Sequence, residues 1–189
     1  MSSVLVVAGS TRTGSFNKQL ARAACKLAET GGHRATFADL REFAMPLYDG
    51  DLETASGLPA GAIALRALVQ QHDTLLVCTP EYNASLPAVL KNALDWLSRP
   101  YAAEPGVSPF KNKVAGMLAS SPGALGGLRA LVHLRQVLMN LGLLVITEQF
   151  ALGNAGAAFG PDGALLDGRQ ATAVMGIVQR AIQVAAKLA

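Results

Sequence analysis

Short unbroken apolar runs alternate with longer stretches whose apolar positions recur every three to four residues. Ser3–Ala8 is the first of the short runs, and its lack of a polar alternation predicts a strand covered on both faces. Phe16–Glu29 follows as a predicted helix with Phe16, Leu20, Ala24 and Leu27 along one side and Gly31-Gly32 as its stop. Arg34–Leu40 is expected as a second strand. A loop containing Pro46, Asp49, Gly50 and Pro59 then leads to a helix from about Ala60 to Gln71. Thr74–Thr79 is a third buried strand, and Pro87 opens a helix that runs to about Ser98. Arg99–Phe110, with three prolines, is expected to be a loop. Lys113–Ala119, Leu128–Leu141 and Leu143–Glu148 give strand, helix and strand again. A glycine-rich loop over Gly153–Gly163 and a last helix over Gly168–Ala189 complete the series.

Five buried strands separated by helices predict a single α/β domain over residues 1–189, a doubly wound parallel sheet with helices on both faces. In such sheets ligands lie beyond the carboxyl ends of the strands, where the strand order reverses. The loops after the first, third and fourth strands are therefore the ones to inspect. The hydrophobic fraction of 51% against a charged fraction of 15% also leaves apolar surface for a subunit interface. The helix Leu128–Leu141 has a wider apolar stripe than one core needs. Its outer face, together with Leu94 and Trp96, is expected to meet another copy of the chain.

The net charge of +3 is small and dispersed, and no basic stripe of a nucleic-acid binder is present. Cys25 and Cys78 have no second Cys or His at metal-ligand spacing, so they are expected to be buried thiols of a reducing compartment. His33 and His72 flank strand starts and His133 lies on a helix; each is isolated, and each is expected at the surface or partly packed. The first strand begins within two residues of Met1, leaving no room for a signal peptide, and no apolar run approaches the ~20 residues that span a bilayer. These features predict a cytoplasmic protein with no membrane, nucleic-acid or metal partner.

The first candidate loop, Gly9-Ser10-Thr11-Arg12-Thr13-Gly14-Ser15-Phe16-Asn17, joins a buried strand to a helix. A helix start offers unpaired N–H groups and a positive dipole end, which suit a phosphate. Gly9 and Gly14 have the spacing of a nucleotide-hydrolysing P-loop, but Ser15 stands where that loop needs Lys. A dinucleotide fingerprint fails as well, with Thr11 at its second glycine. Ser15 also suits a plain helix cap. The second loop, Pro80-Glu81-Tyr82-Asn83, offers an aromatic face and an amide to a planar heterocycle. Glu81 is its only carboxylate. It is open to a catalytic role, or to being simply solvated or paired with an arginine.

Ser10, Arg12, Gly14-Ser15 and Asn17, then Pro80-Glu81-Tyr82-Asn83, then Leu90-Lys91-Asn92-Ala93-Leu94-Asp95-Trp96 resemble the NADPH-dependent FMN reductase family of flavodoxin-like fold. The likeness is strongest to its bacterial quinone, azo-dye and chromate reductases, and extends from Val4 to about Leu152. It implies that Ser10, Arg12, Ser15, Phe16 and Asn17 grip the FMN phosphate. It implies that Pro80, Glu81, Tyr82 and Asn83 line the ribityl chain and ring. A third loop of Ser120, Ser121, Pro122, Gly123, Gly126 and Gly127 would approach the ring through its glycines. Its Pro122-Gly123-Ala124-Leu125 stretch departs from the Ser-Met-Gly wording of close relatives.

The resemblance further implies NADPH or NADH as donor, a small electron-poor acceptor such as a quinone, ping-pong turnover and a homodimer or homotetramer. The flavin would carry the chemistry, with no catalytic side chain. A competing reading is a flavodoxin-type FMN electron carrier that transforms no substrate. Such carriers dock through a charged surface, which the dispersed charge here does not provide.

Overall fold

The side chains of the first strand divide between two cores, and this division organises the molecule. In β1 (Ser3–Ala8), Val4, Val6 and Ala8 join one buried cluster while Leu5 and Val7 join another, as the period of two along a strand requires. The first cluster holds α1 (Phe16–Thr30) and α6 (Gly168–Leu188) against the sheet. The second holds α3 (Ala60–Gln70), α4 (Ala88–Leu97) and α5 (Leu128–Asn140). Covered on both faces, the strands need no polar alternation, which is why they stand out as continuous apolar runs. The computed structural model describes residues 2–188, so the predicted helical end at Ala189 lies outside the described residues.

The remaining strands are β2 (Arg34–Asp39), β3 (Thr74–Thr79), β4 (Val114–Ser120) and β5 (Leu144–Leu152). All pair in parallel, in the order β2-β1-β3-β4-β5. The chain moves outward from β1 to β2, then returns and moves the other way from β3. The reversal point lies between β1 and β3, so their following loops diverge and leave a crevice.

Three expectations are corrected. β5 continues to Leu152 rather than ending at Glu148. It is an edge strand with exposed positions, and its register shifts against β4 between Ala115 and Met117, so Glu148 and Gln149 are tolerated inside it. The expected loop after Pro46 contains a short helix, α2 (Gly50–Ser56), capped by the Asp49 carboxylate, which accepts the Asp51 N–H at 2.8 Å.

The third concerns Leu94 and Trp96. Both are buried within the chain rather than against another subunit. The segment around Pro46 folds over α4: Trp96 Nε1 and Asn92 Nδ2 each donate to the Pro46 carbonyl at 2.8 Å. The Tyr48 ring meets Trp96 edge-on at 5.0 Å, and Glu53 of α2 pairs with Arg99 at 2.9 Å. The outer face of α5 does remain open, with Leu128, Val132 and Met139 exposed. No helix among the described residues is long and apolar enough to cross a membrane.

Candidate functional site

The crevice over β1 and β3 is a cleft of about 350 Å³, within the range of small-molecule sites. It is lined by Ser10, Arg12, Ser15, Phe16, Asn17, Pro80, Glu81, Tyr82, Ser120, Ser121 and Pro122. The loops after β1, β3 and β4 thus converge there. Asn83, Gly123 and Gly126 do not line it.

Its floor is the start of α1. Gly9 lets the chain leave β1 close under α4: its N–H donates to the Cys78 carbonyl at 2.8 Å, and a Cβ there would stand 2.9 Å from Leu90 Cδ2. Ser15 caps the helix, its Oγ accepting the Asn17 N–H at 3.2 Å. The cap uses only the oxygen's acceptor capacity and leaves the hydroxyl hydrogen free. Among the described residues, the N–H groups of Thr13, Gly14, Ser15 and Phe16 meet no protein acceptor, as expected of a bend entering a helix. Among the described residues Arg12 has no carboxylate partner; its guanidinium lies 5.6 Å from the Phe16 ring centre. Ser120, only 2% exposed at the end of β4, has an Oγ with no hydrogen-bond partner among the described residues. A buried hydroxyl left unpaired is costly, and one that lines a cleft asks for a polar ligand. Donors and one positive charge with no carboxylate partner on the floor, an orphan hydroxyl beside them and the Pro80–Tyr82 wall together fit the phosphate, polyol and ring of FMN.

Several expected contacts have other partners. The Asn17 amide is bound at both ends to the backbone of Ser120, which leaves it one Nδ2 hydrogen for a ligand. Glu81 is clamped by Arg129 at the start of α5, its carboxylate accepting from Arg129 N at 3.1 Å and Nε at 2.6 Å. The expected pairing with an arginine is present. Asn83 and Ala84 both have left-handed backbone (φ 49° and 64°) and make the tight turn closed by Tyr82 N–H to Ser85 O at 2.9 Å. The Asn83 position is a turn requirement, and Tyr82 is left 54% exposed at its edge.

Gly126 is also reassigned: at φ +63° it packs on β5, where a Cβ would lie 2.7 Å from backbone atoms of Ala151, Leu152 and Gly153. The glycine there serves chain-on-chain packing. His72 is buried rather than superficial, held between the Leu68 carbonyl and Thr36 Oγ1 at 2.7 and 2.8 Å. Arg129 had no sequence signal, because its partner lies 48 residues away. Arg41 is a further cation near the bend but outside the cleft lining, its Nη1 donating to Thr13 Oγ1 at 2.8 Å.

A parallel sheet reversing between β1 and β3, with an anion-seeking helix start in the crevice, defines a mononucleotide-binding α/β protein. Residues 2–157 match the NADPH-dependent FMN reductase family, and the chain belongs to it. It is 38% identical over 150 residues to a quinone reductase of Escherichia coli K12, covering 79% of this chain and 76% of that one. It is 41% identical over 145 residues to a 2-hydroxy-1,4-benzoquinone reductase of a Burkholderia species, covering 77% and 74%. The solved structure of FerB, a flavoenzyme NAD(P)H:(acceptor) oxidoreductase from Paracoccus denitrificans, matches with a TM-score of 0.84 at 31% identity, over 99% of this chain and 98% of that one.

Proposed function

We propose that the protein is an NAD(P)H-dependent oxidoreductase that holds FMN in this cleft and reduces quinones or similar electron-poor acceptors. The observation that carries the reading is the pairing of unengaged N–H groups at the start of α1 with the orphan Ser120 hydroxyl in one cleft. Membership of the FMN reductase family and quinone-reducing relatives support it.

In this reading the N–H groups of Gly14–Phe16, the hydroxyls of Ser10 and Ser15 and the Arg12 guanidinium hold the phosphate. Ser120 Oγ donates to the polyol or phosphate. Pro80 and Tyr82 wall the ring. Arg129, by fixing Glu81, keeps the Pro80–Tyr82 segment in place, and Asn17 fixes the floor. Held by these residues, FMN would supply the redox chemistry, hydride transfer between the nicotinamide donor and the acceptor. Donor and acceptor share the open face beside Tyr82 in turn, which gives ping-pong turnover.

The exposed Leu128, Val132 and Met139 on α5 form the contact of a homodimer or of one interface in a tetramer. Buried, unpaired Cys25 and Cys78 fit a reducing cytoplasm, and burial pushes the Cys25 thiol up to about 12.

The test is a visible spectrum of the purified protein, then anaerobic addition of NADPH and afterwards of a quinone. Yellow protein that bleaches and regains its colour supports the reading. Yellow protein that NADPH leaves unchanged identifies an electron carrier instead, and colourless protein that takes up no FMN contradicts both.

A further inference from the structure

On the far side of the Ser10–Thr13 bend lies a second recess, of about 200 Å³. Its floor is apolar, from Phe43, Met45 and Val89, and its rim is polar, from Thr11, Arg41 and Asn92. A half-buried aromatic and aliphatic floor with a polar rim suits a flat heterocycle. Asn92 is spent on the backbone around Pro46 and Tyr48, so it is a rigid wall rather than a free ligand.

Arg41 is different. It lies in the 3-10 turn Leu40–Glu42 that follows β2, and the nearest carboxylate along that strand, Asp39, is already neutralised by the buried Lys18 at 2.7 Å. Its neighbour Glu42 forms no ion pair with it, and among the described residues Arg41 pairs with no carboxylate. Its one side-chain bond is to the exposed Thr13 hydroxyl at 2.8 Å. The bend therefore has an unpaired guanidinium on each side, Arg12 facing the cleft and Arg41 beside the recess. A single mononucleotide phosphate uses the first and leaves the second without an anion.

We propose that this recess receives the adenosine end of the nicotinamide donor, with Arg41 binding its ribose 2′-phosphate, so that Arg41 is a determinant of NADPH over NADH. The inference rests on the reductase reading, because it supplies the donor whose far end must find a place outside the FMN cleft. The adenine lies on Phe43 and Met45. The phosphate takes the fork of Arg41, with the Thr11 or Thr13 hydroxyl beside it. The same chemistry, a phosphomonoester beside an adenosine diphosphate, is found in coenzyme A with the phosphate on the 3′ oxygen, so the two sources must be separated.

The experiment is calorimetric titration of the protein at saturating FMN with 2′,5′-ADP, 3′,5′-ADP and ADP, for the wild type, Arg41→Ala and Arg41→Lys. The expected result is that 2′,5′-ADP binds more tightly than either other nucleotide. Arg41→Ala should then weaken it by roughly ten- to a hundredfold, the worth of a charge-assisted hydrogen bond. Arg41→Lys should restore part of that loss, and the dissociation constant for FMN should be unchanged in both variants. Absence of 2′,5′-ADP binding, equal affinity for ADP, preference for 3′,5′-ADP, or an Arg41→Ala variant that loses FMN instead would each overturn the proposal. The last of these would mean that Arg41 only orders Thr13. Failure of the reductase reading shows separately, as protein that FMN does not colour or NADPH does not bleach.

Discussion

Asn17 and Ser120 grip each other across the crevice: Asn17 Nδ2 donates to the Ser120 carbonyl at 2.8 Å and Asn17 Oδ1 accepts the Ser120 N–H at 2.9 Å. Both residues are 2% exposed. The side-chain amide thus satisfies the last peptide group of β4 as a neighbouring strand would. It also fixes the distance between the start of α1 and the orphan Ser120 hydroxyl, the two features that define the cleft. Asn17 is a positioning residue.

Asn17→Ala leaves a buried N–H and a buried carbonyl without partners. The expected cost is about 2–6 kcal/mol of stability, from about 1–3 kcal/mol for each of the two unsatisfied groups. That lowers Tm by about 4–24 °C, at about 2–4 °C per kcal/mol for a domain of this size. Asn17→Asp keeps the acceptor but turns a charge towards the Ser120 carbonyl, so it should not rescue. Thermal denaturation with and without FMN checks this. A variant with unchanged Tm would show that the pair does not hold the floor.

Among the described residues Arg12 pairs with no carboxylate, so its removal should act on the ligand and hardly on the fold. Arg12→Ala is expected to weaken FMN binding by roughly one to two orders of magnitude, with apoprotein Tm little altered. Fluorescence quenching of FMN on titration into apoprotein measures it. Unchanged affinity would move the phosphate elsewhere.

The strands were legible in the sequence because Val4–Ala8 and Leu75–Thr79 are buried on both faces, and unbroken apolar runs have few other uses. The helix start at Ser15 was legible too, since capping chemistry is local. What was not legible is which neighbour takes each polar side chain. Asn17, Glu81 and Asn83 all stood in loops suited to a ligand. One is bound to a peptide group 103 residues on, one to an arginine 48 residues on, and one serves a left-handed turn. Trp96 looked like an interface residue because nothing local indicated that Pro46 folds back over it. In each case the deciding contact is long-range, and residue type alone leaves it open.

The open stripe on α5 gives a prediction about assembly. Val132 is 61% exposed, in line with Leu128 and Met139. Val132→Glu would place a charge at the centre of a dry contact and should convert the oligomer to monomers, with the FMN-binding floor intact. Light scattering at micromolar concentration reads the outcome. A wild-type protein that is already monomeric would remove the proposed contact.

The most direct measurement is a crystal structure of the protein grown with excess FMN. The account predicts phosphate oxygens within hydrogen-bond distance of the N–H groups of Gly14–Phe16 and the hydroxyls of Ser10 and Ser15, with Ser120 Oγ donating to the same ligand. Flavin bound away from the Ser10–Asn17 bend, or a bend left empty at saturating FMN, would contradict it.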